Sequence, residues 1–520
     1  MCALLPFALA ESLNVTMASL RFLGNTSEQS ASAIEKASLD KVAELVDEVA
    51  REGSNLVALP EGYFWWYLPT REKALEHAPP FLAVVDGVVK DSGVKINPCT
   101  FSGDSSSALL ASLSCMAKDK SVYIASNMAT KSCDVEDGCK LWNTEVVFDY
   151  EGYIVATYRK SHVYGSTPPF DAPDPLQQDI AWFSIAGLKV GLLVCFDLEF
   201  VEPANKLVSS AGVDAVLMSM SWANTPPLSW SILYQQAWSL RNKGITLVVV
   251  NDGSSAQTWG NGAYHNGRVV SSQEAFTASE GEEDYPAITW VSLPVQDETY
   301  KIEKHKEFYD ELREGGKRSF SHEEIDGSAA PFPCIIPSYG QGMCANLMAH
   351  RDSGSGIGIG SGAVKVHHHD THCHVRIASP RGSPDGGRVL AAALDVELRD
   401  PGAGAPLHLL ICSVFVCSVP PSATRNTQIE ACDAVYGSFS SPQVDLTLVT
   451  HKNTPNSYEV LPLASGADLH TLSPPQLKFT DRQTEESGGW SASLSVEAHD
   501  ASLGVAGLIA VDQGTANIMR

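Results

Sequence analysis

The chain has 520 residues, 44% of them hydrophobic, and a formal net charge of −25. That length supports two or three domains with a large core. The acidity is spread along the chain and argues against a nucleic-acid partner. No apolar stretch approaches the ~20 residues that span a bilayer, and the polar end from Asp512 to Arg520 leads us to expect no lipid-anchor tail.

Residues 1–10 are apolar and end in Ala8-Leu9-Ala10, which reads as a truncated signal segment. Asn14 to Phe22 is strand-like, and Ser38 to Arg51 predicts a helix with Val42, Leu45, Val46 and Val49 on one stripe and Ser38 as its cap. The apolar run 55–60 leads to Glu61. A helix over 106–118 and a strand from Ser121 to Ser126 follow. Thr144 to Asp149 and Tyr153 to Arg159 form a predicted hairpin about Glu151-Gly152, and its second strand ends at Lys160. A further hairpin turns at Ala186-Gly187, and its apolar run Leu188 to Val194 ends at Cys195. Strand Asp214 to Met220, helix 229–243 and strand Ile245 to Asn251 continue the alternation, so residues 11–300 read as one α/β layered domain. Residues 301–330 are polar and charged, a connector. Residues 331–520 hold a Gly/Ser-rich loop from Arg351 to Gly362 and short apolar runs such as 389–394 and 409–411 between turn residues, which predicts a β-rich domain.

Of twelve cysteines, setting aside Cys2 and Cys195 leaves an even ten. Cys133 and Cys139 bracket a turn-rich loop that their pairing would staple, and Cys412 and Cys417 are near neighbours. This usage, with the triplets at Asn14 and Asn25 as candidate glycan acceptors, suits a secreted or lumenal protein.

Glu61, Lys160 and Cys195 each follow an apolar strand, where open α/β sheets place their sites. A thiolate can attack an amide carbonyl and divide hydrolysis into two easier steps through a thioester. A free cysteine has a pKa of about 8.5 and needs activation. A carboxylate can take its proton and pass it to the departing amine, while an ammonium favours the thiolate and the oxyanion. Cys195 is thus the candidate nucleophile, Glu61 the general base and acid, Lys160 the electrostatic clamp, and the Phe196 N–H a second oxyanion donor.

The residues that carry these roles resemble the nitrilase superfamily of carbon–nitrogen hydrolases, and within it the vanin/biotinidase branch. The resemblance lies in Leu56-Val57-Ala58-Leu59-Pro60-Glu61, the stretch Leu113 to Asn127, Thr144 to Asp149, and Tyr158-Arg159-Lys160. It continues in Val194-Cys195-Phe196-Asp197, Ser221 to Leu228 and Gln236-Ala237-Trp238. It implies a nitrilase-type α-β-β-α sandwich with an additional C-terminal β-rich domain. It also implies a disulfide-bonded glycoprotein and no metal or organic cofactor. The implied activity is hydrolysis of a small-molecule linear amide: pantetheine to pantothenate and cysteamine, or biocytin to biotin and lysine. The chain departs from the pattern where a second glutamate usually follows the lysine. Thr167 stands in that place, with Asp171 and His162 as candidate substitutes, and the change raises a rival reading as a catalytically impaired binding protein. Glu61-Gly62-Tyr63 also departs from the branch's Glu-Asp-Gly.

Trp66, Tyr164 and Trp222 follow the site strands and are candidates for the wall of a substrate pocket. The histidine run His367-His368-His369 with His372 and His374 crowds its ligands into consecutive positions rather than spacing them to converge, so no metal site is expected, and Cys373 is expected in a disulfide.

Overall fold

Alternating apolar strands and amphipathic helices build two six-stranded sheets in a computed structural model of the chain. The model describes residues 12–20 and 29–294, apart from 91, 101–107, 135–137, 165–168, 174–178, 225–230, 253–257, 259 and 272–285, and beyond 331 mainly strands between 332 and 512. The leader 1–10, Asn25, Thr167, the connector 301–330 and residues 351–361 of the Gly/Ser-rich run lie outside the described residues.

The first sheet is built from β1 (Ser12–Leu20), β2 (Leu56–Ala58), β5 (Tyr123–Asp134), β6 (Gly138–Phe148), β7 (Ile154–Arg159) and β14 (Pro286–Pro294). A short ribbon of β3 (Val84–Val85) and β4 (Val88–Val89) stands apart from it. The order is β14-β1-β2-β5-β6-β7, with β1, β2 and β5 parallel and the flanking pairs antiparallel. The second sheet runs β13-β12-β11-β10-β9-β8 and contains β8 (Trp182–Ile185), β9 (Leu188–Val194), β10 (Ala215–Met220), β11 (Thr246–Asn251), β12 (Gly262–His265) and β13 (Arg268–Val269). Strands β9, β10 and β11 are parallel and almost wholly buried, as expected for strands covered on both sides.

Helices α1 (Ala31–Arg51) and α3 (Ala108–Lys120) cover the first sheet. Val42, Leu45, Val46 and Val49 of α1 and Leu113 and Ala117 of α3 share one core with Val57, Ile124, Val146 and Phe148 of the strands. Helix α1 starts seven residues before the predicted position. Ser30 is its N-cap and accepts from the Ala33 N–H at 3.3 Å, whereas Ser38 is buried mid-helix on the same stripe as Ile34 and Val42. Short α2 (Arg71–His77) begins behind a Thr70 cap. On the second sheet, Leu207 of α4 (Ala204–Ser209) sits on β9. The inner faces of the two sheets meet through polar contacts as well as apolar ones: Ser19 Oγ on β1 lies 2.7 Å from the Asn251 carbonyl at the end of β11. Layers therefore run helix, sheet, sheet, helix.

The chain divides into two compact units, Met1–Trp222 with Asn242–Lys317, and Ala223–Arg241 with Arg318–Arg520. Helix α5 (Ser231–Arg241) groups with the second unit, where Leu240 packs on the core. That unit is β-rich, with a nine-stranded and a five-stranded sheet. The runs 389–394 and 409–411 are the centres of two long antiparallel strands, Arg388–Leu398 and Leu407–Ser418. Cys412 pairs with Cys373 rather than with its sequence neighbour Cys417, joining the two sheets through the core. Cys133 pairs with Cys139 across the predicted loop, Cys99 with Cys115, and Cys344 is also disulfide-bonded. Among the described residues no helix is long and apolar enough to cross a membrane.

Gly191 in β9 leaves room for Leu207, since a Cβ there would meet Leu207 Cδ2 at 2.6 Å. We expect Gly191→Ala to destabilise the first unit by about 1–3 kcal/mol through overpacking, measured as a lower thermal midpoint; an unchanged midpoint would show that α4 is free to shift away from the sheet.

Candidate active site

Glu61, Lys160 and Cys195 stand at the carboxyl ends of β2, β7 and β9, and the fold brings all three together. Glu61 lies just beyond β2, its N–H donating to the Met220 carbonyl at the end of β10. The next residue, Gly62, turns with φ +88°, and a Cβ there would sit 2.0 Å from Trp66 Nε1, so glycine answers both a backbone and a packing demand. Lys160 directly follows β7, and its backbone N–H donates to the Asn143 carbonyl. Its Nζ donates to Glu61 Oε1 at 2.6 Å, and both side chains are about 4–5% exposed. Asn143 Nδ2 donates to the same carboxylate oxygen at 2.7 Å.

Asn127 on β5 organises the loop around this pair. Its Oδ1 accepts from the Gly62 N–H and from Trp65 Nε1, and its Nδ2 donates to Asn143 Oδ1. A carboxylate, an ammonium and two amides thus form one connected buried network, the condition under which buried charge is tolerable.

Cys195 is buried, the only free cysteine among the described residues, and takes φ +45°, a left-handed backbone rare for a non-glycine residue. The strain sits where β9 gives way to a 3₁₀ turn, Cys195–Glu199. Burial pushes the thiol pKa well up, and the charge of Glu61, which accepts a hydrogen bond from the thiol, adds to this. Lys160 and the Ser221 backbone N–H, which is directed at the sulfur, act in the opposite direction without cancelling it. For Lys160, burial alone would lower the pKa, but the charge and hydrogen bond of Glu61 outweigh it and carry the ammonium above its ordinary value. The resting site therefore holds a protonated thiol beside a charged carboxylate–ammonium pair.

Asp197 ties the lysine segment to the turn that bears Cys195. Fully buried, it accepts from Tyr158 Oη at 2.7 Å, the His162 N–H at 2.8 Å, His162 Nδ1 at 2.9 Å and the Val194 N–H at 3.2 Å. Burial and the Asp197 charge raise the Tyr158 pKa well above its usual range, so Tyr158 remains a donor. Asp197 is also the further carboxylate whose charge acts on Lys160. The two substitutes suggested for the missing glutamate are engaged elsewhere. Asp171 accepts from Arg71 at 2.5 Å and from the Leu141 N–H at 2.7 Å, and His162 is held on Asp197 with its ring stacked on Phe200 at 3.6 Å.

The aromatic candidates separate. Trp222 is buried just beyond β10, its N–H donating to Asn251 Oδ1 at 2.8 Å. Trp66 is exposed and stacks on buried Trp65 with centroids 4.7 Å apart. Tyr164 is 60% exposed, its ring edge-on to Phe196 at 5.1 Å, so it reaches the nucleophile turn from the solvent side. Asn14, the glycan candidate, lies within β1, and its Nδ2 donates to the Gly53 carbonyl at 3.3 Å. In the second unit His367 and His368 end one strand and His372 and His374 lie on the next, where they alternate with buried Cys373 and Val375. Among the described residues no three metal-ligating side chains converge.

The residues with no role assigned from sequence were Asn127, Asn143, Glu145, Asp197 and Ser219. The available signal was polarity inside an apolar strand: Asn143, Thr144 and Glu145 interrupt β6, yet all three are buried.

Residues 28–262 match the carbon–nitrogen hydrolase family model. Human pantetheine hydrolase VNN2 is 30% identical over 233 residues, 43% of this chain and 42% of that protein. Bovine pantetheinase is 30% identical over 41% of this chain and 42% of its own length, and bovine biotinidase 30% over 42% and 41%. The matches thus span about two fifths of each relative. Among solved structures, an amidase from Nesterenkonia sp. aligns at 18% identity with a TM-score of 0.38, covering 57% of this chain and 97% of that one. Over residues 28–262 the chain is thus similar to carbon–nitrogen hydrolases, and over about two fifths of its length to pantetheinases and a biotinidase.

Proposed function

We propose that this protein hydrolyses a linear carbon–nitrogen amide through a thioester on Cys195, with pantetheine the favoured substrate and biocytin the second. The observation that carries the proposal is the buried contact of Lys160 Nζ with Glu61 Oε1 at 2.6 Å beside a thiol that donates to the same carboxylate. The pantetheinase and biotinidase names of the relatives support the substrate choice.

In this mechanism Glu61 takes the thiol proton as Cys195 attacks the amide carbonyl. Lys160 and the Phe196 N–H stabilise the oxyanion, and the Ser221 N–H stabilises negative charge on sulfur. Collapse breaks the carbon–nitrogen bond, and the proton on Glu61 passes to the departing amine. Glu61, again a carboxylate, then activates water to hydrolyse the thioester, and the thiol regains its proton. The pair's burial excludes water from the base until substrate arrives and strengthens each electrostatic contact. Trp222, Tyr164 and Trp66 are proposed as the substrate-facing aromatics. The disulfides, Cys99–Cys115, Cys133–Cys139 and Cys373–Cys412, support folding in an oxidising, secreted or lumenal compartment.

Cys195→Ala is expected to abolish amine release from pantetheine and from biocytin while leaving the circular dichroism spectrum unchanged. Residual turnover at more than a trace would contradict the nucleophile assignment. Glu61→Gln and Lys160→Met are each expected to lower kcat by about 10²–10⁴, measured by steady-state kinetics. Because burial holds the Cys195 thiol protonated, no thiolate absorbance near 240 nm, taken as wild type minus Cys195→Ala, is expected from about pH 6 to about pH 9. A sigmoidal rise in that window would mean a preformed thiolate.

A further inference from the structure

Glu145 is a fully buried carboxyl group for which the proposed hydrolysis has no use. It lies two residues beyond Asn143 on β6, so the two side chains leave the same face of the strand. Its Oε2 is 2.6 Å from Ser219 Oγ on β10, and that hydroxyl is also 3.2 Å from the Leu59 carbonyl. A serine has one proton to give. If Glu145 were ionised, both neighbours of Ser219 would be acceptors and one would go unserved. If Glu145 carries a proton, its O–H donates to Ser219, Ser219 donates to Leu59, and both neighbours of Ser219 are served. Glu145 Oε1 makes no hydrogen bond of good geometry among the described residues, although Asn127 lies close enough to favour the charged form, and a buried charge tolerates so thin a shell far less than a neutral acid does.

The surroundings agree. The charged group acting on Glu145 is Glu61, from beyond β2, itself paired with Lys160. Asn127 from β5 and Ser219 from β10 are neutral. Burial raises the Glu145 pKa to about 8, with Ser219 and Asn127 opposing and the Glu61 charge reinforcing the shift.

We infer that Glu145 is held as a neutral carboxylic acid and acts as a positioning residue for Glu61, through the relay Glu145–Ser219–Leu59 that fixes the chain two residues before the general base. Ionisation reverses the relay: the Ser219 proton turns to Glu145, the buried Leu59 carbonyl loses its donor, and the loop bearing Glu61 loosens. The inference rests on the hydrolase reading only in naming Glu61 as the base for Cys195.

The test compares the wild type with Glu145→Gln, whose amide N–H can still donate to Ser219 but has no proton to lose, and with Ser219→Ala. The sign follows from linkage. In the unfolded chain Glu145 ionises near its ordinary value of 4.5, and in the folded protein near 8. Wild-type stability therefore declines as pH rises through that window, because the unfolded state binds fewer protons, and levels off above it. The thermal midpoint of Glu145→Gln should gain on the wild type between about pH 5 and about pH 8. A constant gap would mean that Glu145 is ionised when folded and would overturn the inference.

The positioning role is read from alkylation of Cys195 by iodoacetamide, followed on the Cys195 peptide by mass spectrometry. This needs Glu61 as base but no amide substrate. From about pH 7 to about pH 9 the wild-type rate, relative to Glu145→Gln, should fall about tenfold, and Ser219→Ala should already be slow at pH 7. Parallel profiles in wild type and Glu145→Gln would refute the relay. Both shifts appearing in a protein that cleaves neither pantetheine nor biocytin would uphold the relay and remove the hydrolase reading alone.

Discussion

A buried ion pair organises this site. Removing a carboxylate and an ammonium from water costs several kcal/mol per ion, which only close pairing and full hydrogen bonding offset. Lys160 meets Glu61 at 2.6 Å, and Asn143 completes the same oxygen. Asn127 links Asn143 to the Gly62 N–H and to Trp65, so the pair is built into strands β5 and β6 and into the loop after β2. Loss of Lys160 or Glu61 alone would strand a charge where water cannot reach it. The second sheet also takes part, since the Glu61 N–H donates to the Met220 carbonyl at the end of β10.

The proposed nucleophile is the counterpart of that pair. Cys195 adopts a strained backbone at the end of β9, and Asp197, two residues on, gathers Tyr158, His162 and the Val194 N–H around the turn. One carboxylate thus fixes both the turn that presents the sulfur and the segment that presents the ammonium. Because the thiol is neutral at rest, the proposed mechanism couples attack to proton removal, and it needs Glu61 within hydrogen-bonding reach of the sulfur before substrate arrives.

Much of this was legible in the chain. Apolar runs ending in Glu61, Lys160 and Cys195 are short-range signals, and parallel strands place their ends on one side. The helix over Ala31–Arg51 was underestimated because Ser38 looked like a cap, whereas burial of Ile34 continues the stripe one turn earlier. The polar support was hidden for a different reason. Asn143 and Glu145 look like surface residues in a sequence, and only the second sheet, more than seventy residues later, gives Glu145 its partner in Ser219. Cysteine pairing was local for Cys133–Cys139 but not for Cys412, whose partner Cys373 lies across the core of the second unit, a separation no spacing rule conveys.

The proposed chemistry depends on carbon becoming bonded to one sulfur. Rapid acid quench of the protein during turnover of pantetheine, followed by peptide mass mapping, tests this directly. A pantothenoyl adduct on the Cys195 peptide, removed by hydroxylamine as a thioester should be, is expected early in the reaction. Amine release with an unmodified Cys195, or an adduct placed on any other residue, contradicts the mechanism.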